Sequence, residues 1–150
     1  MSTEEEGGLI EQVDVRLRRV TTAIDGLDQR AARTLGVNRT DLRLLDLLAS
    51  EGPLTPAQLG RAVGMSSGGM TVAIDRLTDL GYVRRQPHPQ DRRKAMVHLT
   101  PRLRDSASPL FGPLQMEVRD LLQTFPRAGL LVLSDFLMRW ADAIDKAAQG

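Results

Sequence analysis

Five cations fall between positions 84 and 94 of this chain: Arg84, Arg85, Arg92, Arg93 and Lys94. Four are arginines, whose planar guanidinium presents several fixed donors to a phosphate or a base edge where lysine presents a point charge. Upstream, Ser66 precedes a segment whose outward positions are Ser67, Gly68, Gly69, Thr71, Val72, Asp75 and Arg76. Ser66 and the unpaired amides of a first helical turn suit a phosphate, because a helix N-terminus carries free N–H donors and a partial positive charge. The chemistry on offer is anion binding, not bond making. A hydrolase needs a nucleophile, a base and an orienting group converging on a pocket, yet Ser66 and Ser67 open a helix, and His88 and His98, the two histidines, belong to a hairpin. The absence of cysteine removes thiol nucleophiles, disulfides and thiolate metal sites. The expectation is a protein that is not an enzyme and that uses no metal and no cofactor.

The formal net charge of +1 conceals where these cations lie. Residues 53–104 hold nine Lys/Arg against three Asp, whereas residues 1–52 hold seven against ten and residues 105–150 hold four against six. A basic centre between acidic ends implies a polyanionic partner for the centre alone. With only five aromatic residues, a stacking platform for single strands is not expected.

The elements that position these residues read as mostly helical. Leu9, Val13, Leu17, Val20, Ile24, Leu27, Ala31 and Leu35 recur every three or four residues, the stripe of one long helix of about 25 residues, close to 38 Å at the helical rise, ending near Gly36. A second helix starts near Asn38 or Thr40, places Leu42, Leu45, Leu48 and Ala49 on one face, and stops at Gly52-Pro53. Thr55-Pro56-Ala57-Gln58 is a capping box with proline at the first helical position; Leu59, Ala62 and Val63 form the inner face and Gly64 the turn. Ser66 caps the next helix, whose inner face is Met70, Ala73, Ile74, Leu77 and Leu80 and which ends at Gly81.

Two helices joined so tightly form a helix-turn-helix unit, in which the second helix can enter a DNA major groove. Tyr82–Arg85 and Met96–Leu99 read as short strands around a polar loop from Gln86 to Ala95, with its charge at the tip. Such a ribbon can place arginine in the narrow minor groove. Asp91 is expected to order the loop by pairing with a nearby arginine. Leu130, Leu133, Leu137, Trp140 and Ile144 step by three and four near the C-terminus, a seam that needs a partner, preceded by a looser stripe from Leu114 to Phe125. The apolar run Gly129–Met138 is half the length of about 20 residues that a membrane span requires. The acidic start Met-Ser-Thr-Glu-Glu-Glu-Gly-Gly is unlike an export signal, so a cytoplasmic protein without membrane contact is expected.

The ordered set Leu54-Thr55-Pro56-Ala57-Gln58-Leu59, Val63-Gly64-Met65-Ser66-Ser67, Ile74-Asp75-Arg76-Leu77, Leu80-Gly81-Tyr82-Val83-Arg84-Arg85, Asp91-Arg92-Arg93 and Val97-His98-Leu99-Thr100 resembles the MarR family of bacterial winged-helix regulators. The resemblance implies a mainly α fold with a small β-hairpin wing, the winged helix-turn-helix occupying 37–100 between dimerisation helices at 1–36 and 101–150. It implies a homodimer on a pseudo-palindromic double-stranded operator, usually acting as a repressor, and released in many members by a small lipophilic or aromatic acid effector. Ser66, Ser67, Gly68, Gly69, Thr71 and Val72 lie where the family's recognition helix meets phosphate and bases; Arg93 matches the wing arginine of the minor groove, and Arg76 and Arg92 match phosphate contacts. Arg84, Arg85, Asp91 and Lys94 would support the wing, while Leu9, Val13, Leu17, Val20, Leu130, Leu133, Leu137, Trp140 and Ile144 would form the dimer seam. Val72 stands where many members carry a polar or basic reader, which shifts readout toward thymine methyl contacts and close backbone approach. Pro109 and Pro113 are expected to split or kink the helix after Thr100. The rival reading is a winged helix used for protein–protein contact, for which the arginine ribbon has no purpose.

Overall fold

The computed structural model describes residues 3–149. In chain order the elements are α1 (Thr3–Leu35), α2 (Arg39–Glu51), α3 (Pro56–Val63), α4 (Ser67–Asp79), β1 (Val83–His88), β2 (Asp91–Leu99), α5 (Pro101–Gln123) and α6 (Arg127–Gln149). The fold is mainly α with one antiparallel hairpin, the winged helix-turn-helix that the sequence implied. The chain divides into two compact units, Met1–Ser108 and Pro109–Gly150.

In the first unit the core is made where α1 ends. Ala31, Ala32 and Leu35 are buried together with Leu42, Leu44, Leu45 and Leu48 of α2, Leu59 of α3, Met70, Ala73, Ile74 and Leu77 of α4, and Val83 and Val97 of the hairpin. Full burial of each large side chain contributes about 1.5–3 kcal/mol. The inner faces differ in detail from the periodic reading: Leu44 is buried while Ala49 and Ala62 are exposed, because α2 and α3 pack on more than one neighbour and their contact stripes rotate. Helix α1 also begins earlier than expected, and its 33 residues span about 50 Å at 1.5 Å per residue. Glu5 and Glu6 in its early turns complement the positive end of the helix, offsetting the low propensity of Gly7 and Gly8.

Caps fix the joints. Asn38 accepts from the Asp41 amide at 2.8 Å and Thr55 from the Gln58 amide at 3.3 Å, each within a reciprocal capping box. The α3–α4 turn needs glycine twice. Gly64 is left-handed at φ 69°, and a Cβ on Gly60 would lie 3.2 Å from the Met65 carbonyl oxygen, which belongs to the turn. Tyr82 is buried and its hydroxyl donates to the Leu35 carbonyl at 3.0 Å, satisfying an otherwise open C-terminal carbonyl of α1.

The hairpin is longer than the sequence suggested. Val83–His88 pairs with Asp91–Leu99 up to a two-residue turn at Pro89-Gln90, so most of the polar loop expected from Gln86 to Ala95 is strand, with a bulge beyond Pro87 that leaves Arg92, Arg93 and Lys94 without partners in the ladder. The prolines misled: in a two-stranded ribbon each strand has an open edge, where Pro87, opposite Ala95, withholds no donor from the partner. At the base, Leu54 and Val97 exchange both backbone bonds, at 3.3 and 2.8 Å, which adds a one-residue third strand from the α2–α3 linker.

Helix α5 runs through Pro109 and Pro113 without a break, so the expected split does not occur. The prolines stand four apart, so the donors they lack fall on one face while the other face keeps its ladder. In the second unit the expected seam residues Leu137 and Ile144 are 45% and 48% exposed, and Leu130, Leu133 and Trp140 are half-buried. Phe136 stacks on Trp140 with ring centroids 6.3 Å apart. On α1, Leu9, Val13 and Val20 are exposed and Leu17 is half-buried. No helix among the described residues is long and apolar enough to cross a membrane.

Candidate nucleic-acid interface

The N-terminus of α4 is open where the sequence placed an anion site. Ser66 is the N-cap, its hydroxyl accepting from the Gly69 amide at 3.2 Å. The Thr71 hydroxyl donates back to the Ser67 carbonyl at 3.0 Å, and Val72 stands 60% exposed one position further on. The two glycines differ. A Cβ on Gly69 would lie 3.2 Å from Met65 Cε and 3.3 Å from Ser66 Oγ, so glycine there keeps the cap uncrowded; around Gly68 nothing lies within 4 Å.

Arg76, expected at a phosphate, has a partner within the fold. Its Nε donates to Asp41 Oδ2 at 2.7 Å and its Nη2 to Asp41 Oδ1 at 2.6 Å, with the Arg76 side chain 41% exposed and that of Asp41 fully buried. Hydrogen bonding to Asp41 holds the Arg76 guanidinium still more firmly protonated than usual. Asp75 on the outer face pairs with Arg85 of β1 at 2.8 Å, joining the wing's base to α4. Arg84 is exposed and makes no ion pair among the described residues.

At the wing tip Asp91 orders the turn as expected, but among the described residues its partners are not arginine side chains. It accepts from the Arg93 backbone amide at 3.1 Å and lies 3.6 Å from the Lys94 ammonium. His88 Nδ1 accepts from the Gln90 amide at 3.2 Å, a turn-ordering role. This leaves the Arg93 side chain exposed at the end of the ribbon, without an ion pair among the described residues. The Arg92 backbone belongs to β2, and its side chain lies outside the described residues. Thus α4 and the ribbon present one amide-rich helix start and one projecting guanidinium, an arrangement matched to a charged backbone with grooves on either side. No group of three or more histidines or acids among the described residues is placed to hold a metal ion.

Neither the Asp41–Arg76 fork nor the Asp75–Arg85 pair is announced by the local sequence. The Asn38-x-x-Asp41 spacing signals a capping box but says nothing of a partner 35 residues away.

The model of the MarR family matches residues 35–94, which carry the helix-turn-helix and the greater part of the wing. The uncharacterised HTH-type transcriptional regulator YcgE of Bacillus subtilis is 33% identical over 147 residues, 97% of this chain and 96% of that protein. The crystal structure of the transcriptional regulator Tm0710 from Thermotoga maritima superposes with a TM-score of 0.64 at 18% identity, covering 93% of this chain and 99% of that one. NadR in complex with 4-hydroxyphenylacetate superposes with a TM-score of 0.60 at 19% identity, covering 86% and 92%. Identity that extends from end to end of a regulator, on a fold whose helix-turn-helix and wing have the geometry for DNA, makes this chain a member of the MarR family of DNA-binding transcriptional regulators and not an enzyme.

Proposed function

We propose that the protein acts in the cytoplasm as a homodimeric repressor on a pseudo-palindromic operator. The observation that carries this reading is the separation of surfaces. Large exposed apolar side chains gather on α1 from Leu9 to Ile24 and between Leu114 and Ile144, whereas the basic residues gather in the winged helix. An apolar surface of that extent needs a partner, and a second copy supplies a two-fold match for an inverted repeat. Each α4 lies in a major groove with Ser66, Ser67 and the first-turn amides on phosphate, and Gly68, Gly69, Thr71 and Val72 facing bases. Arg93 reaches the minor groove and Arg92 the backbone beside it. Arg76 uses the donors that Asp41 leaves free on a phosphate. Arg84, Arg85, Asp91 and Lys94 hold the ribbon in place. The dimer seam uses Leu9, Val13, Leu17, Val20, Leu130, Leu133, Leu137, Trp140 and Ile144, with the functional parts divided at 1–36, 37–100 and 101–150.

The test is selection from random duplexes with the full-length protein. Enrichment of an inverted repeat with half-sites about one helical turn apart supports the reading, and recovery of no motif overturns it. A small aromatic acid is the proposed effector, in line with the ligand held by NadR. It acts by binding the DNA-incompetent spacing of the two recognition helices better than the competent one; a coupling of about 1–3 kcal/mol gives 5- to 150-fold release. A melting-temperature screen against small aromatic acids identifies it.

A further inference from the structure

The geometry points to Val72 as the residue that sets operator specificity, through apolar contact with the 5-methyl group of a pyrimidine. The inference rests on the proposed placement of α4 in the major groove and deepens it.

No Arg, Lys, Asn, Gln or Glu stands between positions 67 and 75, so the side chains that read guanine, adenine or cytosine by paired hydrogen bonds are missing from the reading face. The charged residues that follow are engaged: Asp75 by Arg85 at 2.8 Å, and Arg76 by the buried Asp41 through two donors. The Ser66 hydroxyl serves the cap and the Thr71 hydroxyl points its proton at the Ser67 carbonyl. Ser67 can donate or accept and so discriminates poorly. Gly68 and Gly69 have no side chain.

Val72 remains. It is 60% exposed, and among the described residues it is the only exposed large apolar side chain between Ile24 and Leu114. A β-branched residue in a helix is held in one χ1 rotamer, so its methyl groups are already positioned before DNA arrives. In the major groove, thymine alone among the four bases offers a methyl group. 5-Methylcytosine carries the same methyl at the same ring position, and its different 4-substituent is invisible to a side chain with no polar atom. Val72 therefore recognises a 5-methylpyrimidine and accepts 5-methylcytosine in place of thymine.

The experiment uses the full-length protein and the duplex that selection recovers. Each thymine is replaced in turn by deoxyuridine, which removes the methyl and keeps the pairing. One thymine per half-site is expected to lose about three- to tenfold in affinity on replacement. For Val72→Ala the thymine-to-uracil ratio at that position falls to about one, with helicity and melting temperature preserved because the site is exposed and alanine favours helix. Cytosine placed there binds poorly, and its 5-methylation restores affinity toward that of thymine. Insensitivity of every thymine to replacement, or equal discrimination by Val72→Ala, overturns the assignment while leaving the operator reading intact. A selection without any motif removes the operator reading and this inference together.

Discussion

Arg76 on the recognition helix grips Asp41 at the start of α2 with two hydrogen bonds, at 2.7 and 2.6 Å, and the carboxylate it grips is fully buried. Asp41 is also the third helical residue of the capping box, within 3.4 Å of the Asn38 amide. One carboxylate thus joins the N-terminus of α2 to the helix proposed to read DNA. Arg76→Ala is expected to destabilise the fold by up to about 3 kcal/mol, because a buried charge loses its partner. The partly exposed arginine keeps the loss below that of a wholly buried pair. Arg76→Lys should recover little of it, since one ammonium cannot reproduce the fork. Urea unfolding of the two variants checks this, and an unchanged midpoint for Arg76→Ala refutes it. In a cycle with Asp41→Asn, the double variant with Arg76→Gln should lose less than the two single losses combined.

Gly68 separates stability from binding. Nothing surrounds a Cβ built there, so Gly68→Ala should fold well and gain up to about 1 kcal/mol of helix propensity. If α4 lies close to DNA through this position, the added methyl costs operator affinity at the same time. Melting temperature and binding, measured side by side, should move in opposite directions. A variant that is more stable and binds as well as the parent removes Gly68 from the interface.

Arg93 provides the matching test at the wing. Its side chain is exposed and makes no ion pair among the described residues, so Arg93→Ala should leave the melting temperature unchanged. Operator affinity should fall, and the slope of log affinity against log salt should shrink by about 0.9 or less, the share of one neutralised phosphate. A titration series across salt concentrations reads both. Full affinity in the variant would show that the ribbon tip stays out of the groove.

These residues also show how far the sequence could be read. The helix-turn-helix was legible because its signals are local: Thr55-x-x-Gln58, Ser66 and the left-handed Gly64 each act within a turn of chain. The Asp41–Arg76 and Asp75–Arg85 pairs were not, since any arginine in the basic centre was an equally good partner until packing chose one. Pro87 and Pro89 mark a loop in isolation, but Pro89 lies in the turn and the free edge of the ribbon tolerates Pro87, so pairing resumes at His88 and Asp91 beyond the bulge at residues 92–94. Pro109 and Pro113 mark a helix end by the same local rule, and α5 absorbs both on one face. Local chemistry announces itself in the chain; the choice among long-range partners is made by packing.

Asp46 offers a test by pH. Asp46 is exposed, yet the protein on one side of its carboxyl removes part of its hydration, and the negative charge of Asp28 adds to this, so its pKa lies above the ordinary 3.8. A carboxyl raised in the folded state is stabilising when protonated: that contribution is complete below the unfolded value and is lost as pH rises through the folded one. At neutral pH the fold therefore carries the cost of the charge. Asp46→Asn should raise the melting temperature at neutral pH, with a gain that shrinks as pH falls through the raised value toward 3.8. A gain that does not change with pH would assign the effect to something other than charge.

The apolar faces of α1 and of the second unit lead to the last test. Leu131, Val132 and Met138 are 60%, 71% and 61% exposed, alongside Leu137 at 45% and Ile144 at 48%, so α6 is apolar well beyond one seam. Each such side chain covered by a partner contributes up to about 1.5–3 kcal/mol, and several together suffice for a stable pair of chains. Leu137→Glu places a charge on the proposed seam, where burial without a counter-ion is strongly unfavourable. Sedimentation should find the parent protein dimeric and Leu137→Glu largely monomeric. Operator binding should then fall far more than half-site contacts alone explain, because the second recognition helix of a dimer binds at high effective concentration and a monomer has no such advantage. A parent protein that sediments as a monomer at concentrations that saturate the operator overturns the two-fold reading, and with it the expectation of an inverted repeat.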